Sequence, residues 1–166
     1  MIKSILAAAA VAAALFFQPE AASACCSAVG SDGYIRTSWR GTDGSISLWK
    51  LDPAFNVVGS HNYGPYGGWS PVGLSMLSNT TYYLWRYTDG TASIWELDAN
   101  LNYLTSRTFG PVAGWEPEEL DVDGLTGNLG LVWRTPANQI SVWVINSSLN
   151  ALGASPVFGP YFGWSY

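Results

Sequence analysis

The sequence predicts an all-β protein made of three copies of one four-stranded antiparallel unit, with a β-propeller-like arrangement of the copies. Three observations carry this expectation. All nine tryptophans fall at equivalent places, three per copy. Short runs of β-branched and aromatic residues alternate with turn residues at the spacing of an all-β domain. One segment, Gly-Pro-x-x-Gly-Trp, is written three times, as GPYGGW at 64–69, GPVAGW at 110–115 and GPYFGW at 159–164. The tryptophan series are Trp39, Trp85 and Trp133; Trp49, Trp95 and Trp143; and Trp69, Trp115 and Trp164. Their period is 46 residues from the first copy to the second and 48 or 49 from the second to the third. A fixed period of this length is the signature of a repeat architecture.

The elements follow in chain order. Residues 1–24 read as a signal peptide: Lys3 supplies the positive start, Ile5 to Phe17 the apolar run, and Ala22-Ser23-Ala24 the cleavage site. The apolar run is shorter than a membrane span needs. Cleavage after Ala24 leaves a domain of residues 25–166 that begins on Cys25-Cys26, the only cysteines. Adjacent cysteines are poorly placed to bridge each other. Their open readings are thiols that stay reduced or pair with another chain, acylation of Cys25, and a metal site. Ala22 stands where a lipobox prefers Leu, and the single His61 offers few metal partners. A membrane is a partner only if Cys25 is lipidated.

The copies span approximately 34–69, 70–115 and 116–164. Within them, TYYLWRYT and TASIWELD flank Asp89-Gly90, a hairpin signal that Asp43-Gly44 repeats in copy one. Copy three has Pro136-Ala137-Asn138 there, which reads as a longer or rearranged turn. A second turn follows at Asp52-Pro53-Ala54-Phe55-Asn56 and at Asp98-Ala99-Asn100. A third strand then runs into Gly-Pro, and SPVGLSML and EPEELDVDG supply the strand that opens the next unit. Copy one has no obvious strand of that kind unless CCSAVG serves. Nothing after the signal peptide reads as a helix.

In ISLWKL both the Ser47, Trp49, Leu51 face and the Ile46, Leu48 face carry apolar groups, so these sheets look covered on both sides. Propeller blades stacked face to face have that pattern. A β-trefoil is the alternative, because it too is three copies of four strands and closes within one chain. A propeller needs about four or more blades, so three imply a homo-oligomer that completes a closed propeller, or a fragment of a longer array.

Composition narrows the function. Only 11% of residues are charged, the formal charge is −5, and seven residues are basic, which argues against a nucleic-acid partner. No nucleophile elbow, metal cluster or phosphate loop occurs, so no cofactor, no metal and no catalytic residue is expected. Glu116, Glu118, Glu119, Asp121 and Asp123 cluster in copy two. They read as a solvated loop, with a calcium site in the DVDG of 121–124 or a hydrolytic carboxylate pair as sharper readings.

Arg40, Arg86 and Arg134 each follow the first tryptophan of their copy. Each is either a structural partner of its own hairpin, through Asp43 or Asp89, or a ligand contact. Trp69, Trp115 and Trp164, with Tyr66 and Tyr161 beside two of them, either wedge adjacent copies together or offer rings to a sugar. Sugar C–H faces pack on aromatic rings while Arg, carboxylate and backbone groups bond the hydroxyls.

The stretch LWRYTDGTASIWELDANLN…FGPVAGW resembles repeats that bacterial secreted proteins string together in variable number. In its period and glycine-Trp turn it also resembles the tachylectin family of β-propeller lectins. YIRTSW at 34–39 is weakly similar to a strand of the fucose-binding propeller lectins. There the sugar-contacting Arg matches Arg36 alone, because Tyr82 and Gly130 occupy the other two places, so no sugar residue is carried over. The resemblance covers roughly residues 34 to 164 and implies a lectin fold without enzymatic activity. The expectation is a secreted, periplasmic or cell-surface protein that binds glycans through several weak sites. The alternative is a structural or adhesion module that binds protein.

Overall fold

The structure, a computed structural model, describes residues 23–161 and Gly163. Most of the predicted signal peptide and Trp164 lie outside the described residues. Twelve strands form three sheets. Sheet 1 holds β1 (Ser23–Val29), β2 (Ile35–Arg40), β3 (Ile46–Leu51) and β4 (Val57–Tyr63). Sheet 2 holds β5 (Trp69–Leu77), β6 (Thr80–Tyr87), β7 (Ala92–Leu97) and β8 (Tyr103–Phe109). Sheet 3 holds β9 (Glu116–Val122), β10 (Leu129–Arg134), β11 (Ile140–Ile145) and β12 (Ala151–Ala154). Each sheet is an antiparallel meander in chain order. Among the described strands, no ladder joins one sheet to the next. That corrects the trefoil alternative, whose barrel needs hydrogen-bonded pairing between copies. CCSAVG does serve as the inner strand of copy one, within β1.

The β2–β3 hairpin of sheet 1 and its equivalents, β6–β7 and β10–β11, repeat in detail. Asp43 accepts hydrogen bonds from the Ser45 amide at 2.9 Å and the Ser45 hydroxyl at 2.6 Å, and Gly44 follows at a φ of 84°. Asp89 accepts from the Thr91 amide at 2.8 Å, with Gly90 at 87°. In sheet 3 the turn between Arg134 and Ile140 has the same length, because those two pair as Arg86 and Ala92 do. Asn138 takes the glycine place at a φ of 59°. The expected longer turn is therefore corrected: asparagine tolerates the left-handed conformation and keeps the geometry.

The second turn is held by a side chain that closes on its own loop. Asp52 accepts from the amides of Ala54 and Asn56, Asp98 from those of Asn100 and Asn102, and Asn146 from those of Ser148 and Asn150. Inside each turn one bulky residue sits at positive φ: Phe55 at 65°, Leu101 at 69° and Leu149 at 60°. Such a conformation costs of order 1–3 kcal/mol for a residue with a Cβ. What offsets it is burial. Leu101 is 0% exposed in the core between sheets 1 and 2, and Leu149 is 2% exposed in the core between sheets 2 and 3.

Those two cores share one plan. Alternate residues of every strand face opposite ways, so each sheet has two faces. Trp85 and Trp95 of sheet 2 pack on Ile46 and Leu48 of sheet 1. Trp133 and Trp143 of sheet 3 pack on Leu84, Ala92 and Ile94 of sheet 2. The two rings of a face meet at 5.3, 5.1 and 5.2 Å in sheets 1, 2 and 3. Gly73 of β5 admits β9 at close range, since a Cβ there would lie 3.3 Å from the Leu120 amide nitrogen.

A polar contact accompanies each junction. Arg36, fully buried, donates to both carboxylate oxygens of Asp32, at 2.6 and 2.7 Å, and reaches across to the Ala99 carbonyl at 3.2 Å. The equivalent Tyr82 sends its hydroxyl to the Ser147 carbonyl at 3.3 Å. Arg36 is thus an inter-sheet contact. The hydrogen bonds it gives Asp32 hold that carboxyl at about 2, well below the ordinary 3.8.

Two outcomes are expected. Leu101→Ala and Leu149→Ala each lower unfolding free energy by about 2–5 kcal/mol in chemical denaturation. Asp32→Ala strands a buried guanidinium and costs about 3 kcal/mol or more at neutral pH. The folded carboxyl titrates below the unfolded one, so its contribution is present above pH 4. It fades as pH falls from 4 towards 2. Wild type and Asp32→Asn therefore converge in stability across that window.

Candidate functional site

The first two Gly-Pro-x-x-Gly-Trp segments link sheet 1 to sheet 2 and sheet 2 to sheet 3, at one rim of the array, and the third follows sheet 3. In the first, the Trp69 amide donates to the Tyr66 carbonyl at 3.1 Å, and in the second Trp115 donates to Val112 at 2.9 Å. Gly68 and Gly114 lie third in these four-residue turns at φ of 80° and 79°, a place that requires the left-handed conformation. The Gly-Pro bonds at 64–65, 110–111 and 159–160 are all cis.

Of the tryptophans that end the segments, Trp69 and Trp115 turn inward. Trp69 packs against the core between sheets 1 and 2, with its ring 5.0 Å from Tyr87. Trp115 packs against the core between sheets 2 and 3. Both are partly buried, in the wedge position rather than as open platforms. Tyr66 reaches forward onto the next sheet, its ring 5.6 Å from Trp85 and 5.5 Å from Trp95. Val112 takes that place in the second link, against the core. Tyr161, the third of the series, is 48% exposed.

The arginines lie together on the same rim, and their partners differ from those expected. Asp43 and Asp89 hold their own hairpins instead. Arg86 is paired with Glu116 at 3.0 Å and Glu118 at 3.5 Å, across the junction on β9. Arg134 donates to the Asn138 side-chain oxygen at 2.6 Å, within its own hairpin. Arg40 is exposed. The place that Glu116 fills opposite Arg86 is filled by Ser70 at the junction before it, since each is the second residue after its glycine. Glu116 and Glu118 are strand residues, so the reading of a solvated loop is corrected for them. The sequence showed their clustering; what it concealed was the register that sets them opposite Arg86.

Two neighbouring clefts result. One, of about 250 Å³, is lined by Gly68, Ser70, Arg86, Tyr87, Gly90 and Glu116. Beside it, a cleft of about 270 Å³ is lined by Glu116, Glu118, Arg134, Pro136 and Asn138. They are the same feature one repeat apart, and Glu116 belongs to both. Each offers a guanidinium, one or two carboxylates, and turn residues in a shallow polar trough. That equipment binds hydroxyl-rich or charged small molecules.

Further along β9, Asp121 accepts from the Val122 amide, and Asp123 accepts from the Leu125 amide and the Thr126 hydroxyl. Asp123 thereby caps a turn, and the Thr126 hydroxyl with the Leu125 amide holds its carboxyl below the usual range. Among the described residues no group of three His, Cys, Asp or Glu is placed to hold a metal ion.

No protein-family model matches the chain, and no curated protein matches it. Among solved structures it is similar to a protein of unknown function from Bacteroides caccae, determined at 1.35 Å. The TM-score is 0.55 at 12% identity, covering 84% of this chain. The match spans 48% of that chain, so this one corresponds to about half of its length. The likeness is one of fold. What fold and site define together is an all-β repeat protein with polar clefts along one rim.

Arg86, Glu116 and Glu118 are partly exposed, at 35, 58 and 32% of their side-chain surface. Exposed pairs contribute about 0–1 kcal/mol. Glu116→Gln and Arg86→Ala are therefore expected to shift the thermal midpoint little, as measured by calorimetry.

Proposed function

We propose that the protein is an exported, non-enzymatic, carbohydrate-binding repeat protein whose sheets are blades of a β-propeller-like array. The binding sites are the rim clefts beside the β6–β7 hairpin of sheet 2 and the β10–β11 hairpin of sheet 3. The observation that carries this reading is the recurrence of the cleft. Arg86 with Glu116, and then Arg134 with Glu118 and Asn138, place donors and acceptors in a similar trough one repeat apart. Vicinal hydroxyls suit such a pairing, because a guanidinium donates two hydrogen bonds in a plane while a carboxylate accepts two.

Of the two roles open to the segment tryptophans, wedge or sugar platform, Trp69 and Trp115 act in this reading as wedges beside the troughs. Arg40, Arg86 and Arg134 remain ligand contacts. Several weak sites on one rigid array give avidity on a glycan-coated surface. Export follows from the first 24 residues, and acylation of Cys25 would add a membrane anchor.

The reading is tested with a glycan array followed by calorimetric titration of the responding sugars. Arg86→Ala and Glu116→Ala are expected to weaken binding at least about tenfold. Leu104→Ala, on β8 and in neither cleft, should leave it unchanged. A flat array, or titrations insensitive to both rim substitutions, overturns the reading. Mass spectrometry of the exported protein should find a chain that begins at Cys25; a retained leader contradicts export.

A further inference from the structure

Each sheet has a tryptophan face that packs back onto the sheet before it and an aliphatic face that receives the sheet after it. Three sheets in series make two such junctions, which leaves one face of each kind at the ends. Among the described residues no sheet covers the tryptophan face of sheet 1. Trp39 is partly buried, whereas its equivalents Trp85 and Trp133 are 1% exposed. Leu51 is likewise partly buried where Leu97 and Ile145 are 0% exposed. The sharpest case is Phe55. Its equivalents Leu101 and Leu149 hold the same positive φ and fill a junction, yet Phe55 is 71% exposed at a φ of 65°. A bulky aromatic in a costly backbone conformation, pointed into solvent, is a junction residue without its junction.

Among the described residues no sheet covers the aliphatic face of sheet 3 either. Val142 is partly buried, against 1% exposure at Leu48 and 0% at Ile94. Ile140 shows the same contrast with Ile46 and Ala92. Phe158 is 45% exposed where Phe109 is 7%. Tyr161 stands where Tyr66 reaches the Trp85–Trp95 pair of the next sheet, and it has no such pair within reach of its own chain's sheet order.

We propose that the occupant of both faces is a second copy of this chain. The tryptophan face of sheet 1 in one protomer docks on the aliphatic face of sheet 3 in its partner, and the reciprocal pair does the same. The argument is continuity with the junction already built twice inside the chain: the two open faces are its two halves. A ring closed by one copy would have only three sheets, below the usual range of four to eight blades, and three copies would exceed that range. Two copies fall inside it. The contact is heterologous, and a heterologous contact that closes yields a ring with a symmetry axis. Where Arg36 and Tyr82 send a donor across their junctions, sheet 3 has Gly130, so the contact between protomers is held by apolar packing.

Light scattering of the chain from Cys25 onward should give twice the protomer mass at micromolar concentration, with little change as salt is raised. Phe55→Asp and Phe158→Asp alter side chains that face solvent within the protomer, so circular dichroism should show both folded. Each alone is expected to weaken the dimer at least about tenfold. An equimolar mixture of the two variants restores one unaltered junction and recovers dimer. A monomer at every concentration, or an open-ended series of larger species, overturns the proposal. So does a Phe158→Asp protein that dimerises normally, which would point to pairing of two tryptophan faces.

Discussion

One contact organises the molecule: a pair of tryptophans from one sheet laid on the aliphatic residues of the sheet before it. A four-stranded meander of this size is covered on neither face when alone, and marginal sheets gain stability from packing. Stacking solves this by giving the middle sheet two neighbours. The burial shows it, since Tyr83, Leu84, Ile94 and Leu97 of sheet 2 are all 0% exposed. The same contact explains the positive-φ residues. Leu101 and Leu149 adopt a conformation that only burial repays, and both are buried in the junction their turn faces.

The rim chemistry is a by-product of that stacking. Sheets joined by Gly-Pro-x-x-Gly-Trp links must bring the end of one β-hairpin beside the start of the next inner strand. Arg86 from the first and Glu116 from the second then meet without any contribution to the core. Because the link wedges its tryptophan inward, the trough beside it stays open. The side chains in it are free to vary between copies, and they do: Ser70 and Glu116 occupy equivalent places, as do Asp89 and Ala137 in the hairpins.

The architecture was legible in the sequence because the repeat is written in tryptophans, whose positions are tied to the junction. The turns were legible wherever Asp-Gly spelled them, and the three meanders run where the strand patterns placed them. Three features were not. Asn138 hides a turn identical in length to its fellows, since asparagine replaces glycine at positive φ without a composition signal. CCSAVG does not look like an inner strand until its register with β2 is known. The arginine partners depend on which residues of two different copies are brought face to face, and Glu116 lies thirty positions from Arg86. For the same reason the roles of Tyr66 and Trp69 were open in the sequence; Tyr66 lies against Trp85 and Trp95, and Trp69 against the core between sheets 1 and 2.

The central claim is that stability resides in the junctions between sheets rather than in the sheets themselves. Native-state hydrogen exchange on dilute protein tests it most directly. The account expects the slowest amides in β6 and β7, which are covered on both faces, and faster exchange in β2, β3, β10 and β11, each covered on one face. Equal protection across all three sheets in a monomeric sample would contradict it.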